Sequence, residues 1–78
     1  MKKNVLTPRE LEVLDLLLYG YNNSKIAEKL CISTHTTKAH ISSIYEKLNV
    51  TNRVQAIVKC LKENLLGKIR EAEDNFER

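Results

Sequence analysis

An all-α fold of four short helices is what this sequence predicts, and three observations predict it. Apolar residues recur at helical spacing and not in strand-like alternation. Residues that start or stop helices stand between those periodic stretches, at Thr7, Asn22 or Asn23, Ser33, and Thr51 or Asn52. Seventy-eight residues, 42% apolar but with only three Tyr and one Phe, allow a single small core of Leu, Ile, Val and Ala.

The first helix starts at Thr7-Pro8-Arg9-Glu10. Thr7 is the N-cap, Pro8 takes the first helical position, where its missing N–H is no loss, and Glu10 can close a capping box. Leu11, Val13, Leu14, Leu17 and Leu18 make a wide apolar face, Glu12, Asp15 and Tyr19 the other, and Gly20 ends the helix. Asn22 or Asn23 caps a second helix running through Leu30, with Ile26, Ala27 and Leu30 turned inward. Cys31-Ile32-Ser33 breaks the pattern, and Ser33 caps a third helix from about Thr34 to Leu48. Its stripe is Ile41, Ile44 and Leu48, extended back by Thr37 and flanked by Tyr45. Two helices joined across about three residues form a helix-turn-helix, and Ala27 supplies the small side chain their close approach needs.

Asn49-Val50-Thr51 is the next break, after which Thr51 or Asn52 caps a fourth helix expected to reach Leu65 before Gly67. Ala56, Ile57, Cys60 and Leu61 can pack inward, leaving Val54, Val58 and Leu65 around a second side. Such an apolar excess suggests a partner surface, for which Val54, Val58, Leu61 and Leu65 are the candidates, unless a small bundle wraps the helix more fully. The chain thus divides into a lead (1–5), one domain (6–66) and a charged tail (67–78) able to extend as helix.

Composition narrows the function. The net charge is +3, but from Gly20 to Lys62 seven basic residues face two acidic ones, while residues 67–78 hold three basic and four acidic. The basic middle makes a polyanion a plausible partner. Cys31 and Cys60 form no CxxC pair and are expected to be reduced, small, buried residues. His35 and His40 lie about 140° apart around a helix, too far to share a metal ion. No catalytic constellation or Gly-rich phosphate loop is assembled, so neither enzyme activity nor a cofactor or small-molecule ligand is expected. The longest apolar run, Leu16 to Leu18, cannot cross a bilayer, and no signal peptide precedes it; a cytoplasmic protein is expected.

The third helix carries the functional expectation. An α-helix fits the major groove of B-form DNA, reading base edges with outward residues while flanking groups grip phosphates. The helical period points His35, Lys38, Ala39 and Ser42 outward, a short, donor-rich face with no acid before Glu46. Lys38 can donate to guanine or phosphate, Ser42 can serve several bases, and Ala39 permits close approach or meets a thymine methyl. Thr34, Thr36, His40 and Lys47 lie towards the flanks, and Asn23, Ser24 and Lys25 open the second helix with a dipole end suited to phosphate.

Leu6-Thr7-Pro8-Arg9-Glu10, Val13-Leu14, Gly20, Ile26-Ala27, Leu30, Ile32-Ser33, Thr36, Lys38, His40, Ile44, Lys47-Leu48, Val50, Arg53 and Ala56 together resemble the LuxR/GerE-type helix-turn-helix domain. That resemblance covers residues 6 to about 66. It implies a four-helix domain whose third helix enters the major groove and whose fourth supplies a dimer contact. It also implies base-reading positions at Lys38, Ala39 and Ser42, with Lys47 and Arg53 serving the DNA backbone or the fold. Thr37 departs from the family's usual Val; its methyl can pack and its hydroxyl can return to a carbonyl of the preceding turn, at a small stability cost. Glu10 matches a family acid explained locally by capping, with Arg53 as a conjectured ion-pair partner. The expected function is a stand-alone, homodimeric transcription regulator on an imperfect palindrome of duplex DNA, with RNA polymerase as a further candidate partner. The alternatives are an excised output domain of a response regulator or quorum-sensing receptor, and a helical protein-interaction adaptor.

Overall fold

The computed structural model describes residues 5–63, which form four helices: α1 (Pro8–Leu18), α2 (Asn23–Leu30), α3 (Thr34–Leu48) and α4 (Arg53–Glu63). Each begins where the capping chemistry lies. The Thr7 hydroxyl accepts from the Glu10 N–H at 3.1 Å and the Glu10 carboxylate accepts from the Thr7 N–H at 2.9 Å, closing the capping box. Asn22, Ser33 and Asn52 accept from the N–H groups of Lys25, Thr36 and Gln55 in the same way.

The C-terminal ends of α1, α2 and α3 share one construction. Gly20, Cys31 and Asn49 have positive φ, and the N–H of the next residue reaches back across the turn: Tyr21 to the Leu16 carbonyl, Ile32 to that of Ala27, Val50 to that of Tyr45. This left-handed closure satisfies carbonyls that the helix leaves open and turns the chain sharply. Gly20 takes the conformation without cost, Asn49 with little, and Cys31 against the Cβ clash that L-residues meet there. At this turn Cys31 is exposed, a correction to the expectation that both thiols are buried; Cys60 is buried.

Val13, Leu14 and Leu17 from α1, Ile26 from α2, Ile41, Ile44 and Leu48 from α3, and Ala56 and Cys60 from α4 close the core. Ala27 of α2 is buried as well. Burying these side chains is what orders four helices individually too short to be stable in water. Thr37 is fully buried and its hydroxyl donates to the Ser33 carbonyl at 3.0 Å, which also accepts the Thr37 N–H. Leu61 lies outward at 72% exposure, beside exposed Val54 and Val58, and so does not join the inward set; Ile57 is half-buried. Leu65, the approach to Gly67 and the tail fall outside the described residues. No helix among the described residues is long and apolar enough to cross a membrane.

Candidate nucleic-acid interface

With Thr37, Ile41, Ile44 and Leu48 buried, α3 presents three lines of side chains to the rest of its circumference. His35, Ala39, Ser42 and Glu46 run along the front, all exposed. Lys38, also exposed, stands at one edge with Thr34. Thr36, His40, Ser43 and Lys47, all half-buried, form the opposite flank. The residues assigned to base reading therefore share one open side of one helix, whose carboxylate, Glu46, lies about one turn beyond Ser42.

Ser33 organises the entry to this helix. Its oxygen accepts the Thr36 N–H at 3.0 Å while its own hydroxyl donates to the Thr36 hydroxyl oxygen at 2.9 Å. The Thr36 hydroxyl proton is thereby directed away from Ser33, available to an acceptor. At the start of α2, Ser24 and Lys25 are exposed and Asn23 half-buried; the Lys25 ammonium lies 3.5 Å from Glu28, an exposed pair of little energetic weight.

Lys47 and Arg53 are both engaged inside the fold. The Lys47 ammonium donates to the Glu10 carboxylate at 2.9 Å and to the Val5 carbonyl at 3.3 Å. A terminal nitrogen of Arg53 donates to the carbonyls of Leu17 and Tyr21, placing a cation where the dipole of α1 ends negative. Glu10 therefore pairs with Lys47, and the conjectured partnership with Arg53 is corrected.

Glu10 is the polar centre of the α1–α3 contact. It is 5% exposed, and its second oxygen accepts a 2.6 Å hydrogen bond from Ser43. Burial favours the neutral acid, but the Lys47, Ser43 and Thr7 hydrogen bonds favour the anion and prevail, lowering the carboxyl from an ordinary 4.5 to about 2. Ser43 was not among the residues that the sequence singles out. The available signal was its spacing of four from Lys47, which puts both on one flank, opposite a capping acid with an oxygen to spare.

Among the described residues no group of three or more His, Cys, Asp or Glu is placed to hold a metal. An open apolar groove beside α4 is lined by Val50, Val54 and Val58 with Gln55, Lys59 and Lys62.

A sequence family described as "Bacterial regulatory proteins, luxR family" matches residues 4–60. The transcriptional regulatory protein DegU of Brevibacillus brevis is 49% identical over 59 residues, 76% of this chain but 25% of that protein. The oxygen regulatory protein NreC of Staphylococcus carnosus (strain TM300) is 44% identical over 62 residues, 80% of this chain and 29% of that one. Among solved structures, the response regulator ChrA of a heme-sensing two-component system superposes with a TM-score of 0.78 at 40% identity, over 83% of this chain and 32% of its own. The transcription factor GerE superposes with a TM-score of 0.69 at 36% identity, over 81% of this chain and 92% of its own. The chain thus spans about a quarter of DegU and most of GerE.

Proposed function

The chain belongs to the luxR family of bacterial regulatory proteins, a DNA-binding transcription regulator with no enzymatic role, and from that premise we propose that it binds as a homodimer to an imperfect palindrome, each copy laying α3 in the major groove. The observation that carries the reading is the open side of α3, where His35, Ala39 and Ser42 on the front and Lys38 at its edge are exposed together ahead of the acid at Glu46. Lys38 and Ser42 donate to base edges, Ala39 allows close approach, and His35 reads at the entry. Asn23, Ser24, Lys25, Thr34, Thr36 and His40 hold phosphates around them.

A single helix reads only a few base pairs, so a second copy across a two-fold axis raises both affinity and specificity. The exposed apolar side of α4, Val54, Val58 and Leu61, supports such a contact. Selection of bound sequences from a random duplex pool at fixed salt tests the proposal. An inverted repeat with half-sites about one helical turn apart is expected, with two chains per duplex in sedimentation. An asymmetric motif bound by one chain would reject the dimer, and no enrichment would reject base reading. The span of GerE supports a regulator working as this unit, and that of DegU supports an output module of a longer protein. The size of the native polypeptide separates these.

A further inference from the structure

We infer that Glu10, Ser43 and Lys47 form a strut that sets the orientation of α3 against α1, so that Lys47 serves DNA recognition as a positioning residue and not as a phosphate clamp. The inference rests on the reading that α3 enters the groove. Glu10 sits in the first turn of α1 and reaches α3 at two points, Ser43 at 2.6 Å and Lys47 at 2.9 Å. Those points are one helical turn apart on the same flank. A single contact would act as a pivot, whereas two along the axis resist both rotation of α3 about itself and tilt away from α1.

The apolar contacts beneath cannot do this alone. Leu14 and Leu17 of α1 share one core with Ile41 and Ile44 of α3, which supplies attraction that is largely non-directional, whereas the carboxylate hydrogen bonds fix angles as well as distances. The tolerance is small. With side-chain tips about 6 Å from the helix axis, a swing of about 20° displaces a reading atom by about 2 Å. That exceeds the few tenths of an ångström over which a hydrogen bond to a base edge survives. Lys38, Ala39 and Ser42 are carried by the same helix as Ser43 and Lys47, so where they point follows the orientation that the strut sets.

The occupation of Lys47 supports the same assignment. Its ammonium has Glu10 and the Val5 carbonyl as partners, and Glu10 has only 7% of its side chain exposed. Moving Lys47 to a phosphate would strip a buried carboxylate of its cation, a costly exchange. Through the Val5 carbonyl the strut also ties the strand of chain entering α1 to α3.

The test compares the full chain with Lys47→Met, Lys47→Arg, Glu10→Gln and Ser43→Ala, each checked for helix content by circular dichroism. Two readouts are taken: dissociation constants for a selected and a scrambled duplex across a salt series, and residual dipolar couplings of the free protein, which report the angle between α1 and α3. The strut predicts that Lys47→Met and Glu10→Gln each weaken the selected duplex by about tenfold while the scrambled duplex changes by less than about twofold, the salt slope holds, and the couplings reorient α3. Lys47→Arg, which keeps the ion pair, recovers most of the loss. Ser43→Ala acts in the same direction more weakly and needs no charge change, so it keeps the test decisive if Glu10→Gln unfolds. A phosphate clamp predicts otherwise: Lys47→Met weakens both duplexes alike and lowers the salt slope by about one, and Glu10→Gln binds as tightly or more tightly because it frees the lysine. That pattern, or an unchanged α1–α3 angle, would overturn the inference. If the unsubstituted chain fails to discriminate the two duplexes, base reading by α3 falls, while the couplings still decide the strut.

Discussion

Replacing Glu10 by Gln changes stability in a way that depends on pH, and the structure sets both sign and size. Gln keeps one acceptor oxygen for the Thr7 N–H of the capping box, turns an NH2 donor towards the Ser43 hydroxyl where the second carboxylate oxygen accepted from it, and removes the charge facing Lys47. The wild-type carboxyl lies at about 2 in the folded chain against an ordinary 4.5. Because it holds its proton less tightly when folded, its contribution is complete above about pH 4.5 and is lost as the pH falls through about 2. At 1.36 kcal/mol per unit, the displacement corresponds to roughly 3 kcal/mol at neutral pH. That figure is an upper bound, since the Lys47 side chain, 27% exposed, keeps part of its hydration. Urea denaturation of both proteins at a series of pH values measures the gap. It should stand at roughly 2–3 kcal/mol at pH 7 and close as the pH approaches about 2. A gap that is absent at pH 7, or that stays constant down to the acid limit, would refute the claim that ionised Glu10 joins α1 to α3.

Three further outcomes follow from local geometry. Cys31→Gly should raise stability by about 1 kcal/mol, or roughly 4–8 °C in Tm, by relieving a left-handed backbone that Cys adopts at a cost; an unchanged or lower Tm contradicts this. Thr37→Val should be neutral to stabilising, by up to about 1 kcal/mol, because the Ser33 carbonyl keeps the Thr37-position N–H once the hydroxyl is gone; a loss above about 1 kcal/mol in a thermal melt would show the hydroxyl to be required. A thiol reagent should label Cys31 quickly in the native protein and Cys60 only on unfolding, since Cys60 is buried and its thiol is raised by burial and by the charge of Glu63. Mass spectrometry showing equal rates would contradict the packing of α4.

The elements were legible in the sequence because the chemistry that starts and stops them is local. Thr7, Asn22, Ser33 and Asn52 each cap with a side chain a few atoms long, and Gly20 and Asn49 belong to the few residues that accept positive φ. Cys31 was not legible, since nothing about cysteine signals a left-handed turn, and its apolar character pointed inward. The front of α3 was legible from the helical period, given that Thr37, Ile41, Ile44 and Leu48 are buried. The Glu10–Ser43–Lys47 cluster was not: it spans 37 positions of sequence between Glu10 and Lys47, and the capping box already gave Glu10 a sufficient local explanation. Arg53 escaped for the same reason, its partners being main-chain carbonyls at the end of α1, which no residue type advertises. Long-range polar contacts depend on how helices cross, and the crossing emerges only once the core is packed.

Base reading by the open side of α3 is decided by Lys38→Ala, measured against every single-base variant of the selected duplex at one salt concentration. Preference is expected to collapse at one base pair per half-site, by roughly 1–3 kcal/mol, while the order of preference elsewhere is retained. A uniform weakening across all variants, with the preferences intact, would contradict it.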